Sequence, residues 1–226
     1  LFEMLREMRQ EVGRRDTELS GYIRIVTTFG VSVRLLPDLI TEFSGLHPKV
    51  RFSVHGGGFG MINEQVSNGP AGFGILTVQP FSEAIVATPL FETRLVLVSP
   101  KGNPFGLSRP TTFEELSRTP FISFPPRNTF ENVLQGILES QGRSLNVVAE
   151  TNSVEPMLKY VESGLGVTVL DEYSLAETGR NLDFYGISPA LPPRRYVMIS
   201  RQGKYIAPQV RVFQEMLIER LSGGKP

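Results

Sequence analysis

Gly21-Tyr22-Ile23-Arg24-Ile25-Val26-Thr27-Thr28-Phe29-Gly30 opens a block that runs to Leu76 and decides the fold class. Tyr22 to Val26 reads as an apolar strand. It breaks at Thr27 to Gly30 into a stripe at Val33, Leu36, Leu39, Ile40 and Phe43, the period of an amphipathic helix. Val50 to His55 predicts a second strand, Met61 to Val66 falls in a second helix, and Gly72 to Leu76 predicts a wholly apolar third strand. The order β-α-β-α-β is that of a parallel sheet covered on both faces. At the Thr27-Thr28 junction, two hydroxyls and unpaired helical N–H groups can receive an anion or carboxylate without a lysine or arginine.

Working outward, Leu1, Leu5, Met8 and Val12 form a heptad-like seam on a helix ending near Glu18. It is too short to choose between a coiled coil and a lone amphipathic helix. The chain opens in mid-helix without a cap, which predicts a connection to something upstream. On the other side, strands at Ala84 to Pro89 and Thr93 to Ser99 precede a Pro and Gly cluster from Pro100 to Pro110, read as a domain crossing. A second α/β series follows. It opens with a capping box at Thr112 and Glu115 and continues through strand Phe121 to Phe124, helix Thr129 to Gln141, strand Asn146 to Thr151, helix Val154 to Ser163 and strand Gly166 to Leu170. A short helix from Asp171 to Thr178, a turn-rich stretch, strand Tyr196 to Ser200 and helix Pro208 to Leu221, with Val212, Met216 and Leu217 on one face, complete two similar lobes.

Composition narrows the function. The 226 residues carry 23 basic and 23 acidic side chains, without the basic excess that a nucleic-acid-binding face needs. The absence of cysteine excludes disulfides and thiolate chemistry, and His47 and His55 are the only histidines, so no metal or other cofactor is expected. No apolar run approaches the roughly 20 residues of a membrane span. The N-terminus also lacks a signal peptide's apolar middle, so a cytoplasmic protein without membrane partners is expected.

In doubly wound folds, ligands bind at the carboxyl ends of the strands. Thr27 to Phe29, His55-Gly56-Gly57-Gly58, Thr77 to Pro80, Phe124 to Thr129 and Thr151-Asn152-Ser153 are such loops. The glycines would let backbone approach a ligand, and Arg127 could pair with a carboxylate or sulfate. Each loop also has a plainer reading: Thr28, Asn152, Ser153, Asn128 or Thr129 as helix caps, the glycines as a tight turn, Arg127 as a solvated cation. No phosphate-binding loop, nucleophile elbow or metal-ligand spacing is present. Glu114-Glu115 and Asp171-Glu172 read as solvated carboxylate pairs, and His55 is the one histidine worth testing as an acid or base. No catalytic residue is expected.

Gly21-Tyr22-Ile23-Arg24-Ile25, Leu36-Pro37-Asp38-Leu39-Ile40 and Phe43 with His47-Pro48-Lys49-Val50 resemble the opening of the effector-binding domain of LysR-type transcriptional regulators. Val161 to Leu170, with Gly164-Leu165-Gly166, is similar to that family's second hallmark. The resemblance covers residues 21–221. It implies an α/β fold of two doubly wound lobes joined by crossover strands, like the type 2 periplasmic binding proteins. Residues 1–20 would end a linker helix, 21–96 and 197–226 would form one lobe, and 97–196 the other. Thr27, Thr28, Phe29, Gly57, Thr77, Arg127, Thr129 and Thr151 would line the effector cleft. Gly72 stands where the family usually has an acid, and the Thr27-Thr28 pair resembles the sulfur-assimilation branch, whose effectors are small anions and acyl-serines.

The expected function is therefore effector sensing. A small molecule or inorganic anion would bind between the lobes. The domains would associate as a homodimer or homotetramer, antiparallel through Val33 to Phe43 and Val50 to His55. DNA would be contacted only by a winged helix-turn-helix domain upstream of Leu1. A free-standing solute-binding protein, or an enzyme on the same fold such as a prephenate dehydratase, are the alternatives.

Overall fold

The computed structural model describes residues 18–125, 129–175 and 181–222. The seam at Leu1, Leu5, Met8 and Val12, the loop residue Arg127 and the end of the helix expected to reach Thr178 lie outside the described residues. The described elements begin with β1 (Ser20–Thr27), α1 (Phe29–Arg34), α2 (Leu36–Leu46), β2 (Lys49–Gly56), α3 (Phe59–Ser67), β3 (Phe73–Thr77), β4 (Ile85–Thr93), β5 (Leu95–Pro100) and β6 (Thr111–Thr112). Then come α4 (Phe113–Arg118), β7 (Pro120–Ser123), α5 (Thr129–Glu139), β8 (Asn146–Glu150), α6 (Val154–Glu162), β9 (Thr168–Asp171) and α7 (Glu172–Leu175). The last four are β10 (Leu182–Tyr185), β11 (Ile187–Ser188), β12 (Arg194–Arg201) and α8 (Pro208–Ser222).

The first sheet has the order β2-β1-β3-β12-β4. β1 pairs in parallel with β2, from Ser20 opposite Lys49 to Thr27 opposite Gly56, and with β3 on its other side. β12 returns from the far end of the chain and runs antiparallel to both β3 and β4. The parallel β-α-β-α-β core expected from sequence is therefore extended into a mixed sheet. Pro89 is accommodated because β4 is an edge strand.

The stripe expected as one helix is two. Leu35 (φ −91°, ψ −48°) separates them, and Pro37, in the first turn of α2, has no N–H to carry a helical bond across the junction. Val33 is consequently 72% exposed, and Leu36, Leu39 and Phe43 carry the buried face. The face expected on α8 is also rotated: Val212 is exposed, and Val210, Phe213, Leu217 and Leu221 enter the core.

In the second lobe, β5 lies between β9 and β10 and is antiparallel to both. β7 pairs in parallel with β8 and forms an isolated parallel bridge from Phe121 to Val167, the residue before β9. The short β6 and β11 pair beside them. β6, β10 and β11 were not visible in the turn-rich segments of the sequence. The chain passes from one sheet to the other across Arg94, between β4 and β5, and returns at Pro192-Pro193 before β12.

Both faces of each sheet are covered. Ile25 and Ile75 join Phe43, Phe73 and Phe213 in one core, while the next residues, Val26 and Leu76, join Ile62 and Val66 on the other side. The second lobe repeats this: Leu97, Phe121 and Val169 enter one core, and Val98, Ile122 and Leu170 the other. Such alternation follows from the two-residue period of a strand whose faces are both dry.

α4 has the capping box read from sequence. The Glu115 N–H donates to Thr112 Oγ1 at 3.2 Å and the Thr112 N–H donates to Glu115 Oε2 at 2.8 Å. Hydrogen bonding, led by the Ser108 hydroxyl, lowers the Glu115 carboxyl from an ordinary 4.5 to about 2. A carboxyl that binds its proton less readily when folded adds stability above its ordinary titration range, and that stability is lost as the pH falls through its folded value. The stability difference between the wild type and Glu115→Gln, measured by urea unfolding, should therefore shrink from pH 4.5 towards about 2. A difference that stays constant over that window would contradict the assignment.

Candidate functional site

A cavity of about 540 Å³ lies between the lobes. The ends of β1 and β3 and the start of α3 form its first-lobe wall, and Phe124-Pro125 with Asn152-Ser153-Val154 form the opposite wall. β9, α7 and β12 close its inner end through Asp171, Ser174, Arg194 and Tyr196.

The structure gathers some of the expected residues and disperses others. Thr28, Phe29, Gly57 and Thr77 line the cavity. Thr27 does not: it is fully buried, and its hydroxyl donates to the Ile75 carbonyl at 2.8 Å, tying β1 to β3. Thr151 also lies off the wall. Its N–H donates to the Ser123 carbonyl and its Oγ1 accepts from the Ser153 N–H at 3.4 Å, so it shapes the loop. Thr129 begins α5, with its side chain outside the described residues, as is all of Arg127.

Thr28 occupies the N-cap position of α1 yet makes no side-chain capping bond. Its Oγ1 is buried and has no hydrogen-bond partner among the described residues. A buried hydroxyl left unpaired costs on the order of 1–3 kcal/mol, so it is a natural partner for a bound group. The first turns of α3 and α6, whose N-cap residues Gly58 and Ser153 line the cavity, likewise have no side-chain cap. Their orphan N–H groups and positive dipole ends favour an electron-rich ligand.

Two of the three glycines after His55 leave room for side chains that pack over them. A Cβ on Gly56 would sit 2.7 Å from the Phe29 ring, and one on Gly57 would sit 2.1 Å from the Met61 methyl. The space they leave is filled largely by these side chains, which form part of the apolar wall. His55 is exposed, with its Nε2 3.0 Å from Ser53 Oγ, and it does not line the cavity.

Asp171-Glu172, read from sequence as a solvated pair, is split by the start of α7. The Glu172 side chain is 46% exposed beside Arg94, whereas that of Asp171 is 1% exposed. Asp171 accepts from the Ser174 N–H at 2.9 Å, the Ser174 hydroxyl at 3.0 Å and the Tyr196 hydroxyl at 3.4 Å. Arg194 donates to it from Nη1 at 3.3 Å and to Thr77 Oγ1 from Nη2 at 3.2 Å. Burial, reinforced by the Asp171 carboxylate, pushes the Tyr196 phenol well above its ordinary value, so it stays a donor. Arg194 and Tyr196 had no distinguishing motif; only the antiparallel return of β12 brings them to the cleft.

Among the described residues no group of three or more His, Cys, Asp or Glu could hold a metal ion, and no helix is long and apolar enough to cross a membrane. The family profile of the LysR substrate binding domain matches residues 16–222, and the chain belongs to this family, whose fold is mixed α/β and like that of the type 2 periplasmic binding proteins.

Its relatives are transcriptional regulators. The chain is 27% identical over 201 residues to a probable RuBisCO transcriptional regulator of Cyanophora paradoxa, covering 85% of the chain and 62% of that protein. It is 29% identical over 165 residues to the transcriptional regulator CysB of Haemophilus influenzae, covering 72% of the chain and 50% of CysB. The matches thus span between half and 62% of these regulators' lengths. In fold, it superposes on the effector binding domain of QuiR in complex with shikimate with a TM-score of 0.81 at 16% identity, covering 90% of this chain and 98% of that one.

The contact at Gly56 gives a stability test. Gly56→Ala must displace the Phe29 ring and should cost roughly 1–3 kcal/mol in thermal unfolding, whereas adding Phe29→Ala should restore much of the loss. Failure of the second substitution to rescue would show that the contact is not the cause.

Proposed function

We propose that this chain is the effector-sensing domain of a cytoplasmic LysR-type regulator. It binds a small acid or anion between its lobes and couples binding to oligomer conformation and to DNA binding by a winged helix-turn-helix domain of the whole protein. The observation that carries this reading is the buried Thr28 hydroxyl, without a partner among the described residues, on a cavity that also receives the first turns of α3 and α6, which have no side-chain cap. That cavity is within the roughly 300–1,000 Å³ of small-molecule pockets, and QuiR carries shikimate in the same fold. A ligand shifts the conformation only as far as it binds one arrangement of the lobes more tightly than another.

A thermal-shift screen of sulfate, thiosulfate, O-acetylserine and aromatic acids should return a ligand that raises Tm saturably. At a hundred times its Kd the gain is about 2.7 kcal/mol. Thr28→Ala should weaken that ligand by about 0.5–1.5 kcal/mol, and more if the bonded group is charged; unchanged affinity by calorimetry would remove Thr28 from the site.

The domains associate through Val33 to Phe43 and Val50 to His55 as a homodimer, or as pairs of dimers. β2 is an edge strand, and Val33, Leu46 and Val54 beside it are exposed, a combination that invites pairing with another chain. Sedimentation velocity should show a dimer that Val54→Lys weakens. A species that stays monomeric at every concentration would count against this assembly.

A further inference from the structure

One side chain of the second lobe is seated in the core of the first. Tyr173 follows β9 on α7, yet among the described residues it is the only one from that lobe in the buried cluster that holds Ile25, Phe43 and Phe213. Its ring centroid lies 4.9 Å from that of Phe91 and 5.9 Å from that of Tyr196. Phe91 stands on β4 just before the chain leaves the first sheet, Tyr196 stands on β12 just after it returns, and these two rings stack across paired strands. The Tyr173 ring therefore rests on the roots of both crossings, where a change in the angle between the lobes must be absorbed.

α1 closes over the same ring. Arg34, its last residue, places the guanidinium 4.7 Å from the Tyr173 ring centroid and donates from Nη1 to the Tyr173 carbonyl. Gly30 lets α1 come this close, since a Cβ there would stand 3.0 Å from Ser174 Oγ. The Tyr173 N–H donates to Thr93 Oγ1 at 3.3 Å, beside the outgoing crossing.

Deepening the effector-cleft reading above, on which its functional meaning rests, we propose that Tyr173 is a latch between the lobes, clamped by Arg34, and that its seat in the first lobe sets the width of the cleft. Opening the lobes must withdraw a residue that is 5% exposed and break its contacts with two aromatic rings and a cation. The latch is also seated at a cost. Burial raises the phenol above its ordinary value and keeps it protonated, and its oxygen is buried with no hydrogen-bond partner among the described residues. A phenyl ring in the same seat would escape that desolvation. The lobes are thus held in the described arrangement by an attachment that differential binding of a ligand can shift.

The chain has no cysteine, so Glu64→Cys on α3 and Gln141→Cys beyond α5, both at exposed positions, accept one nitroxide label on each lobe. Double electron–electron resonance, with labelled chain diluted in unlabelled chain, reads the distance between them in the absence of any ligand. The labelled parent should give one narrow distribution. Tyr173→Phe should keep that distribution and raise Tm by about 2–4 °C. Tyr173→Leu should broaden or split it, and Arg34→Met should do so to a smaller extent.

A Tyr173→Leu distribution as narrow as the parent's overturns the latch and leaves the lobes held by the Asp171 bonds alone. A broad distribution in the parent overturns it too, as does a Tyr173→Phe chain that broadens or fails to gain Tm. Should Tyr173→Leu fail to fold, Arg34→Met decides. No ligand enters these measurements, so the effector-cleft reading stands or falls separately, on its thermal-shift screen.

Discussion

The buried carboxylate of Asp171 is the constraint on which the rest of the arrangement depends. It ends a strand of the second sheet, while Arg194 and Tyr196, which donate to it, belong to a strand of the first. An ionised group with a side-chain exposure of 1% survives only if its partners replace water. Two of those partners, Arg194 and Tyr196, reach it from the other sheet, so the requirement fixes one lobe against the other. Arg194 carries the constraint on to Thr77, at the end of the third strand and on the cavity wall. Removing one partner of such a pair typically costs about 3–5 kcal/mol, because the other charge is left buried.

The short helix after Asp171 adds an apolar counterpart. Tyr173 enters the core of the first lobe, its ring tilted against those of Phe91 and Tyr196, while Leu175 two residues later enters a core of the second. The Tyr173 N–H donates to Thr93 Oγ1, and Arg34 lies over the Tyr173 ring while donating to its carbonyl. Cleft, crossing strands and interlobe packing thus share a few residues. Arg194 and Tyr196 both line the cavity and join a strand of one sheet to a strand of the other.

Much of this architecture was legible in the chain, for identifiable reasons. The first and third strands carry apolar runs bounded by turns, the second alternates apolar with polar residues, and the Thr112 and Glu115 box announces its helix through local chemistry alone. Patterns that depend on neighbours were harder. Leu35 falls inside a continuous apolar stripe, so the helix break before Pro37 is hidden by residues that remain apolar on both sides. Strands of two to four residues, such as those at Leu182 and Ile187, are too short to show a period.

Half of the candidate site was readable for the same reason. Thr28, Phe29, Gly57 and Thr77 follow strands, where doubly wound folds place their ligands, whereas Thr27, one residue earlier, faces the other way and is consumed by a bond to Ile75. Asp171 looked like half of a solvated pair because a sequence does not show which of two adjacent carboxylates faces inward. Arg194 lies 117 residues from the hydroxyl it holds. The most direct measurement of the account is a double-mutant cycle on Asp171→Asn and Arg194→Gln by urea unfolding. A junction that ties the lobes predicts an interaction energy above about 1 kcal/mol, and effects that add to within about 0.5 kcal/mol would contradict it.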